Sequence, residues 1–471
     1  MSGFSAAVKI GDLDDFLSPA TDCVILPVKH EIEKKSSASV IKSKPKQEDN
    51  VASITLSDCL ACSGCVTSAE TVLLQSQSVE ELLSLSRSSP IRIYFSVSSA
   101  SRRALSEYYK IPPGRVCRHL EASLSKILSP SSVYVLDTSV AESIVVEETR
   151  REMLGRKNVL ITSHCPGLSC YATKVLDESI LSHMSRIKAP EQLMGLIVKR
   201  LIPSILAQNF FKNSQIRNLR HFSAPHDEKI LHVLISPCFD KKLEIIRPDY
   251  TTMDGVKGVD LVLATSELLD LMSRTIHIDH DNIKESKEVF DIHDMFSLRD
   301  SWAVSESGCD SGGYAQAAVA SIGENDWTPE KNKDILKLEN NIRSHGFRNI
   351  QNITRRLTSD KLKDVNIVEL MACPGGCPRG GGQPPVRESE KPYISFLDRI
   401  FSTTSSSPGV NHHEVDYVCA PSEYIPGKII RDSISKFLGA YFLSEFLTTE
   451  WKSTISQKDD ANGIHPSSVK W

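Results

Sequence analysis

Long apolar runs are missing from this chain. No stretch approaches the roughly 18 residues needed to cross a bilayer, and the opening MSGFSAAVKIGDLDDFLSPA carries acids where a secretory leader would carry lysines. Neither a membrane span nor export is expected, and a soluble protein of the cytosol or nucleus is. A surplus of one charge is missing too. The 55 Lys and Arg face 59 Asp and Glu, a formal net charge of -4, which argues against a nucleic-acid partner. No internal repeat is present. Disulfide staples are not expected, because a reducing compartment keeps thiols reduced and clustered cysteines there more often bind metal. The last lack is local. Residues 57–70 read SDCLACSGCVTSAE, with Cys59, Cys62 and Cys65 at two-residue gaps. A cubane iron-sulfur cluster takes four thiolates, yet where a bacterial ferredoxin continues to a Cys followed by Pro this chain has Val66, Thr67, Ser68 and Ala69.

What is plentiful is cysteine, twelve in 471 residues, on a chain long enough for two or three domains of roughly 100 to 200 residues each. An N-terminal segment, 1–85, carries the triple-cysteine run. Within it KKSSASVIKSKPKQEDN (34–50) is charged and serine-rich, so a flexible loop is expected that lets Cys23 and the Cys59 group meet in space. A body over 86–430 follows, with IRIYFSVSS (91–99), SVYVLDTS (132–139), NVLITS (158–163), ILHVLIS (230–236), VDLVLATS (259–266) and VNIVEL (365–370) as short β-branched runs separated by helical periods. That alternation predicts an α/β fold with parallel strands. The helix beginning PEQLMGLIVKRLIPSILAQNF (190–210) is expected to kink or break near Pro203. GFRNIQNITRRL (346–357) puts Phe347, Ile350, Ile353 and Leu357 on one helical face. The remainder, 431–471, reads as an amphipathic helix over 434–451 and a polar tail.

The other cysteines follow strands. Cys165 follows NVLITS, Cys238 follows ILHVLIS, and Cys373 and Cys377 follow VNIVEL in MACPGGCPRGGGQP. Ligands bind outside the carboxyl ends of strands in open α/β sheets, so these segments are expected to converge on one four-thiolate site. Gly375, Gly376 and the run Gly380 to Gly382 are expected to let backbone approach a bulky inorganic core. Cys117, Cys170, Cys309 and Cys419 lack motif spacing and read as small buried hydrophobes. For Cys59, Cys62 and Cys65 the rival is structural zinc, but zinc ribbons favour paired knuckles over a triple CxxCxxC. A catalytic His164-Cys165 pair is the rival at the second site. Adjacent side chains seldom meet in productive geometry.

TSHCPG, the C-x-x-K-x-x-E pattern of Cys238, Lys241 and Glu244, and ELMACPGGCPRGGGQP resemble the three cysteine segments that hold the active-site cluster of iron-only hydrogenases. APEQLMG and CDSGGY look like accompanying segments, and with the opening LDDFLSPATDC the chain most resembles the eukaryotic iron-only-hydrogenase-like family of cytosolic iron-sulfur assembly factors, also called nuclear prelamin A recognition factor-like. The resemblance runs essentially end to end. It implies an iron-only-hydrogenase-like α/β body of two lobes, with mostly parallel sheets flanked by helices around a buried cluster, switching lobes near 210–240. It implies two 4Fe-4S clusters, one on Cys23, Cys59, Cys62 and Cys65 and one on Cys165, Cys238, Cys373 and Cys377.

By the same resemblance the chain departs from the enzymes. His164 stands where they have a proton-relay cysteine, Ser236 stands where a methionine is expected, and the additional ferredoxin clusters are lacking, while Lys241 is retained. No enzyme activity is implied. The expected role is an adaptor and carrier in cytosolic iron-sulfur protein assembly, cytoplasmic with the nucleus as a further compartment. Its partners would be a P-loop scaffold ATPase, a targeting complex built around a WD-repeat protein, and apo iron-sulfur clients. The alternative is a two-cluster redox or electron-transfer protein. Members of that assembly system are similar in often ending in a terminal aromatic residue, so Trp471 is expected to dock on the targeting complex, with Lys470 departing from the acidic residue usual before it.

Overall fold

Each of the six β-branched runs becomes a strand. The computed structural model describes residues 6–8, 52–54, 76–203, 229–275, 313–315, 327–384 and 447, with short breaks at 112, 248–249, 252–254, 333 and 360. Cys23, Cys59, Cys62, Cys65, Cys309, Cys419, the 34–50 loop, the helix expected over 434–451 apart from Leu447, and Trp471 lie outside the described residues. Near the N-terminus, β1 (Ala6–Val8) pairs antiparallel with β2 (Ala52–Ile54).

The first lobe is built on β3 (Arg92–Val97), β4 (Ser132–Asp137), β6 (Ile230–Ser236) and β7 (Leu261–Ala264), all parallel in the order β4-β3-β6-β7. The second holds β5 (Leu160–Thr162), β8 (Thr328–Pro329), β9 (Ile335–Leu338), β10 (Asn341–His345) and β11 (Ile367–Met371) in the order β5-β11-β10-β9-β8. There β5, β11 and β10 are parallel, and β9 and β8 run antiparallel. The chain passes between the two sheets more than once. β5 already belongs to the second sheet, and β6 returns to the first. β4 and β6 flank β3 on either side, and the connection between them passes through β5 of the other lobe.

The principal helices cover both faces of the first sheet and pack on the second. They are α1 (Val79–Ser88), α2 (Ser99–Tyr109), α3 (Pro113–Ile127), α4 (Ser139–Gly155), α5 (Pro166–Val175), α6 (Pro190–Leu196), α7 (Lys241–Glu244), α8 (Thr265–Thr275) and α9 (Phe347–Thr358). Their starts carry expected chemistry. The Ser78 and Ser98 side chains accept the backbone N–H of Glu81 and Ser101. Leu82, Leu120, Leu124 and Leu268 bury against Ile93, Phe95 and Val233 on one face, while Val140, Ile144, Leu193 and Ile197 cover Tyr94 and Leu136 on the other. Burial on both faces explains why these strands are continuously apolar. α6 runs into a π-helical turn, Ile197–Leu201, just before Pro203. Leu447 is buried in the same core, and its carbonyl accepts the Lys188 N–H at 2.8 Å. In the second lobe Ile350 and Ile353 of α9 and Leu168 and Ala172 of α5 pack on Ile161, Val368 and Leu370, with Phe347 and Leu357 at the margin.

Candidate metal centre between the lobes

The site starts from strand register. β5 and β11 lie side by side with Ile161 opposite Val368, so both end at one edge. Just past that edge the Ser163 hydroxyl donates to the Leu370 carbonyl and accepts the Cys165 N–H at 2.9 Å. Pro166 opens α5, which makes Cys165 the residue capping that helix. Its sulfur accepts the Ala372 N–H at 3.4 Å, and the Gly167 and Leu168 amides also face it. Burial pushes the Cys165 thiol up, and these three amides oppose that shift by favouring thiolate.

Cys373 lies two residues past β11. The chain then reverses through Gly375 and Gly376, at φ 72° and 76°, into a 3-10 turn at Cys377–Arg379. Gly380 and Gly382, further along, make a close approach to protein backbone. A side chain on Gly380 would put Cβ 2.4 Å from the Pro237 carbonyl oxygen, and one on Gly382 would put it 2.9 Å away. The Gly382 N–H also donates to Pro237 O at 2.9 Å. These glycines let the third cysteine segment press on the backbone beside Cys238, so their close approach is between lobes. The Ser266 N–H donates to Gly382 O at 2.9 Å, and Gln383 Nε2 to Ala100 O at 3.1 Å, seating the segment further on the first lobe.

The structure therefore brings together the segments carrying Cys165, Cys238, Cys373 and Cys377. The first two cysteines are buried and the other two half-buried. Among the described residues, no three Cys, His, Asp or Glu side chains stand close enough to hold a single metal ion. Four thiols around a four-iron cube stand farther apart than four around one ion. The surroundings fit an iron-sulfur core. The donors are all soft thiols, backbone amides face Cys165, and the buried Ser236 hydroxyl, two residues before Cys238, has no hydrogen-bond partner among the described residues. Half-buried Cys117 packs on the first lobe's core as a small hydrophobe. Cys170, on α5, is half-buried, and burial pushes its thiol up.

A buried polar chain runs beside these segments. His164 Nδ1 is 3.1 Å from the Tyr314 hydroxyl and its Nε2 is 3.1 Å from Glu191 Oε1. Nδ1 is hydrogen-bonded, while Nε2 is at ion-pair distance from Glu191 without hydrogen-bond geometry, and both nitrogens have these contacts away from Cys165. Lys241 Nζ reaches Glu191 Oε2 at 3.2 Å and Glu244 Oε2 at 2.7 Å, and the Tyr250 hydroxyl donates to Glu244 at 3.1 Å. Burial alone would drive His164 and Lys241 down in pKa, but the neighbouring carboxylates lift both above their ordinary values. Glu191 is held low despite its burial, by His164 and Lys241. Glu369 accepts the Tyr314 and Ala315 N–H groups at 3.2 and 3.1 Å. Sequence reasoning singled out Lys241 and Glu244 but not Glu191, Tyr314 or Glu369. The available signal was a carboxylate at the head of the otherwise apolar EQLMGLIV run.

The family described as iron only hydrogenase large subunit, C-terminal domain, matches residues 91–381. The chain is 34% identical to Protein NAR1 of Arabidopsis thaliana over 456 residues, covering 87% of this chain and 90% of that protein. It is 33% identical to Cytosolic iron-sulfur assembly component 3 of Bos taurus, covering 85% of this chain and 88% of that protein. Among solved structures, apo FeFe-hydrogenase HydA1 from Chlamydomonas reinhardtii aligns with a TM-score of 0.56 over 80% of this chain and 99% of that chain, at 18% identity, a likeness of fold. The chain belongs to the iron-only-hydrogenase-like family of cytosolic iron-sulfur assembly factors.

Proposed function

We propose that this protein works in cytosolic iron-sulfur protein assembly as an adaptor and carrier holding two 4Fe-4S clusters. The inner cluster is held by Cys165, Cys238, Cys373 and Cys377, and the outer by Cys23, Cys59, Cys62 and Cys65. The carrying observation is the convergence of three cysteine segments from two lobes, through the Ala372–Cys165 and Gly382–Pro237 contacts. Its chemistry is thiolate coordination and exchange rather than turnover of a small substrate. On this reading it stands between an early P-loop scaffold ATPase and the late targeting complex around a WD-repeat protein, and delivers clusters to apo clients of cytoplasm and nucleus. Trp471 docks it on that complex. The names of the relatives support the pathway.

The test is transfer of isotopic iron from anaerobically purified protein to an apo iron-sulfur client, with and without the targeting complex. Purified protein is expected to hold about eight irons and as many acid-labile sulfides, as two cubanes require, and label is expected to move to the client. A second reading, a two-cluster electron-transfer protein, draws on the hydrogenase-like fold and buried Lys241. Retention of both clusters through repeated reduction and oxidation, with no label reaching the client, selects it over the carrier.

A further inference from the structure

Glu191 is fully buried at the head of α6, and its two oxygens point to different lobes' cysteine segments. Oε1 stands 3.1 Å from Nε2 of His164, the residue immediately before Cys165. Oε2 stands 3.2 Å from Nζ of Lys241, three residues after Cys238. Neither contact is local in the chain. Each cation has a further partner, Tyr314 for His164 and Glu244 for Lys241, but Glu191 is the group that touches both. Buried charges of this kind are held only when paired, and removing one partner leaves the others uncompensated. Partners behind metal ligands orient those ligands and set the charge that the metal experiences.

We propose that Glu191 is the positioning residue of the inner site: its carboxylate ties the Cys165 segment to the Cys238 segment across the lobes and balances the buried positive charge beside the cluster. The inference rests on the reading that Cys165, Cys238, Cys373 and Cys377 hold that cluster. Glu191→Gln keeps the shape and removes the charge. A loosened tie speeds iron loss, and losing a negative charge favours the more negative, reduced cluster, so its potential rises. Lys241→Met removes a positive charge and acts in the opposite direction on the potential. A core ion pair that served the fold alone would give no such opposed pair of shifts.

The experiment uses anaerobically purified full-length protein. Iron release to a chelator and redox titration of the inner-cluster signal are compared for wild type, Glu191→Gln, Lys241→Met and the double variant. Glu191→Gln is expected to release inner-site iron about 10- to 100-fold faster, the range for lost partners behind metal ligands. The potential is expected to rise in Glu191→Gln, fall in Lys241→Met and return toward wild type in the double variant. Release within twofold of wild type, or shifts of the same sign in both single variants, overturns the proposal. Should Glu191→Gln not accumulate folded, Lys241→Met decides alone: a lower potential supports the proposal and an unchanged one overturns it. Cys238→Ser separates the underlying reading. Full iron retention there would refute the inner cluster itself and take the Glu191 proposal with it, whereas loss of the inner irons with an unaltered Glu191→Gln would refute only the tie.

Discussion

The two lobes contribute unequally to the proposed inner site. The second supplies Cys165, Cys373 and Cys377 from β5 and β11, whose parallel register and shared Ser163 and Ala372 contacts hold the segments together. The first supplies Cys238, which meets the others through the Gly380 and Gly382 approach to Pro237 and through Glu191. Three thiols are therefore arranged by strand pairing, and the fourth by contacts between lobes. The proposed ligand set, built this way, is complete only while the lobes stay docked.

Removing a thiol is the largest way to break the comparison. Cys373→Ser in one lobe and Cys238→Ser in the other are both expected to lower iron from about eight to about four per chain. Both should also lower the melting temperature, because metal-binding free energy is folding free energy. Parallel iron, sulfide and thermal measurements check this. Cys117→Ser, altering a thiol packed on the first lobe's core, is expected to leave the iron content unchanged. An equal loss of iron in Cys117→Ser would break the assignment of the four ligands.

A core cavity comes next. Ile350 of α9 and Leu124 of α3 are both fully buried, one under each lobe, and truncating either to Ala costs about 2–5 kcal/mol. The costs should be similar but the consequences for iron should differ. Ile350 packs in the cluster that contains Cys165 and Met371, so Ile350→Ala is expected to speed chelator removal of inner iron more than Leu124→Ala does. Equal release rates at matched loss of stability would show that the lobes hold their ligands alike.

Much of this was legible in the sequence, and the exceptions share a cause. The runs at 91–99, 132–139 and 230–236 read as strands because burial on both faces makes them continuously β-branched and apolar, and the cysteines were placed correctly just past strand ends. The hairpin of β9 and β10 was not read. Its segment ILKLENNIRSH mixes Lys337 and Arg343 into the strands, and its turn uses Glu339 at φ 49° where a glycine would have signalled it. The Gly380 to Gly382 run was legible as a place of close approach, but its partner, Pro237, is about 140 residues away in the chain. Glu191 was missed for the same reason, since its partners His164 and Lys241 come from segments 27 and 50 residues distant. Local pattern reveals elements; pairing across lobes leaves no periodic trace.

Filling the space between the lobes is a smaller perturbation. A Cβ at Gly380 would meet the Pro237 backbone at 2.4 Å, whereas one at Gly375 would meet only the flexible Arg379 side chain, at 2.7 Å, while forcing a side chain to φ 72°. Gly380→Ala is expected to cost about 1–3 kcal/mol through overpacking and to lower inner iron by displacing Cys238. Gly375→Ala is expected to cost about 1 kcal/mol in backbone strain, with less effect on the lobe contact. Iron content at equal residual stability distinguishes the two. The opposite order would move the critical contact from the lobe boundary to the Cys373–Cys377 turn.

A pH-dependent effect that leaves the iron untouched belongs to the first lobe alone. Glu121 on α3 is buried, and its carboxylate accepts the Val135 N–H of β4 at 2.9 Å. Burial raises its pKa from 4.5 to about 7, against the lowering effects of the Val135 amide and Arg118. The sign follows from proton binding. Between about pH 4.5 and 7 the folded chain keeps a proton that the unfolded chain has released, so the stability linked to this group is full below that window and is lost as pH rises through about 7. Glu121→Gln retains an oxygen to accept from Val135 but cannot ionise. The variant is therefore expected to match wild type near pH 4.5 and to become more stable above pH 7, by on the order of 1–3 kcal/mol. Denaturant unfolding at several pH values measures the difference. Inner-site iron release should stay unchanged between the two proteins at each pH, because Glu121 braces the β4 edge of the first sheet, while Cys238 is delivered by β6 within it. A pH-independent stability difference would assign Glu121 a fixed packing role, and a pH-dependent difference in iron release would mean that the first lobe transmits its edge strand's state to Cys238.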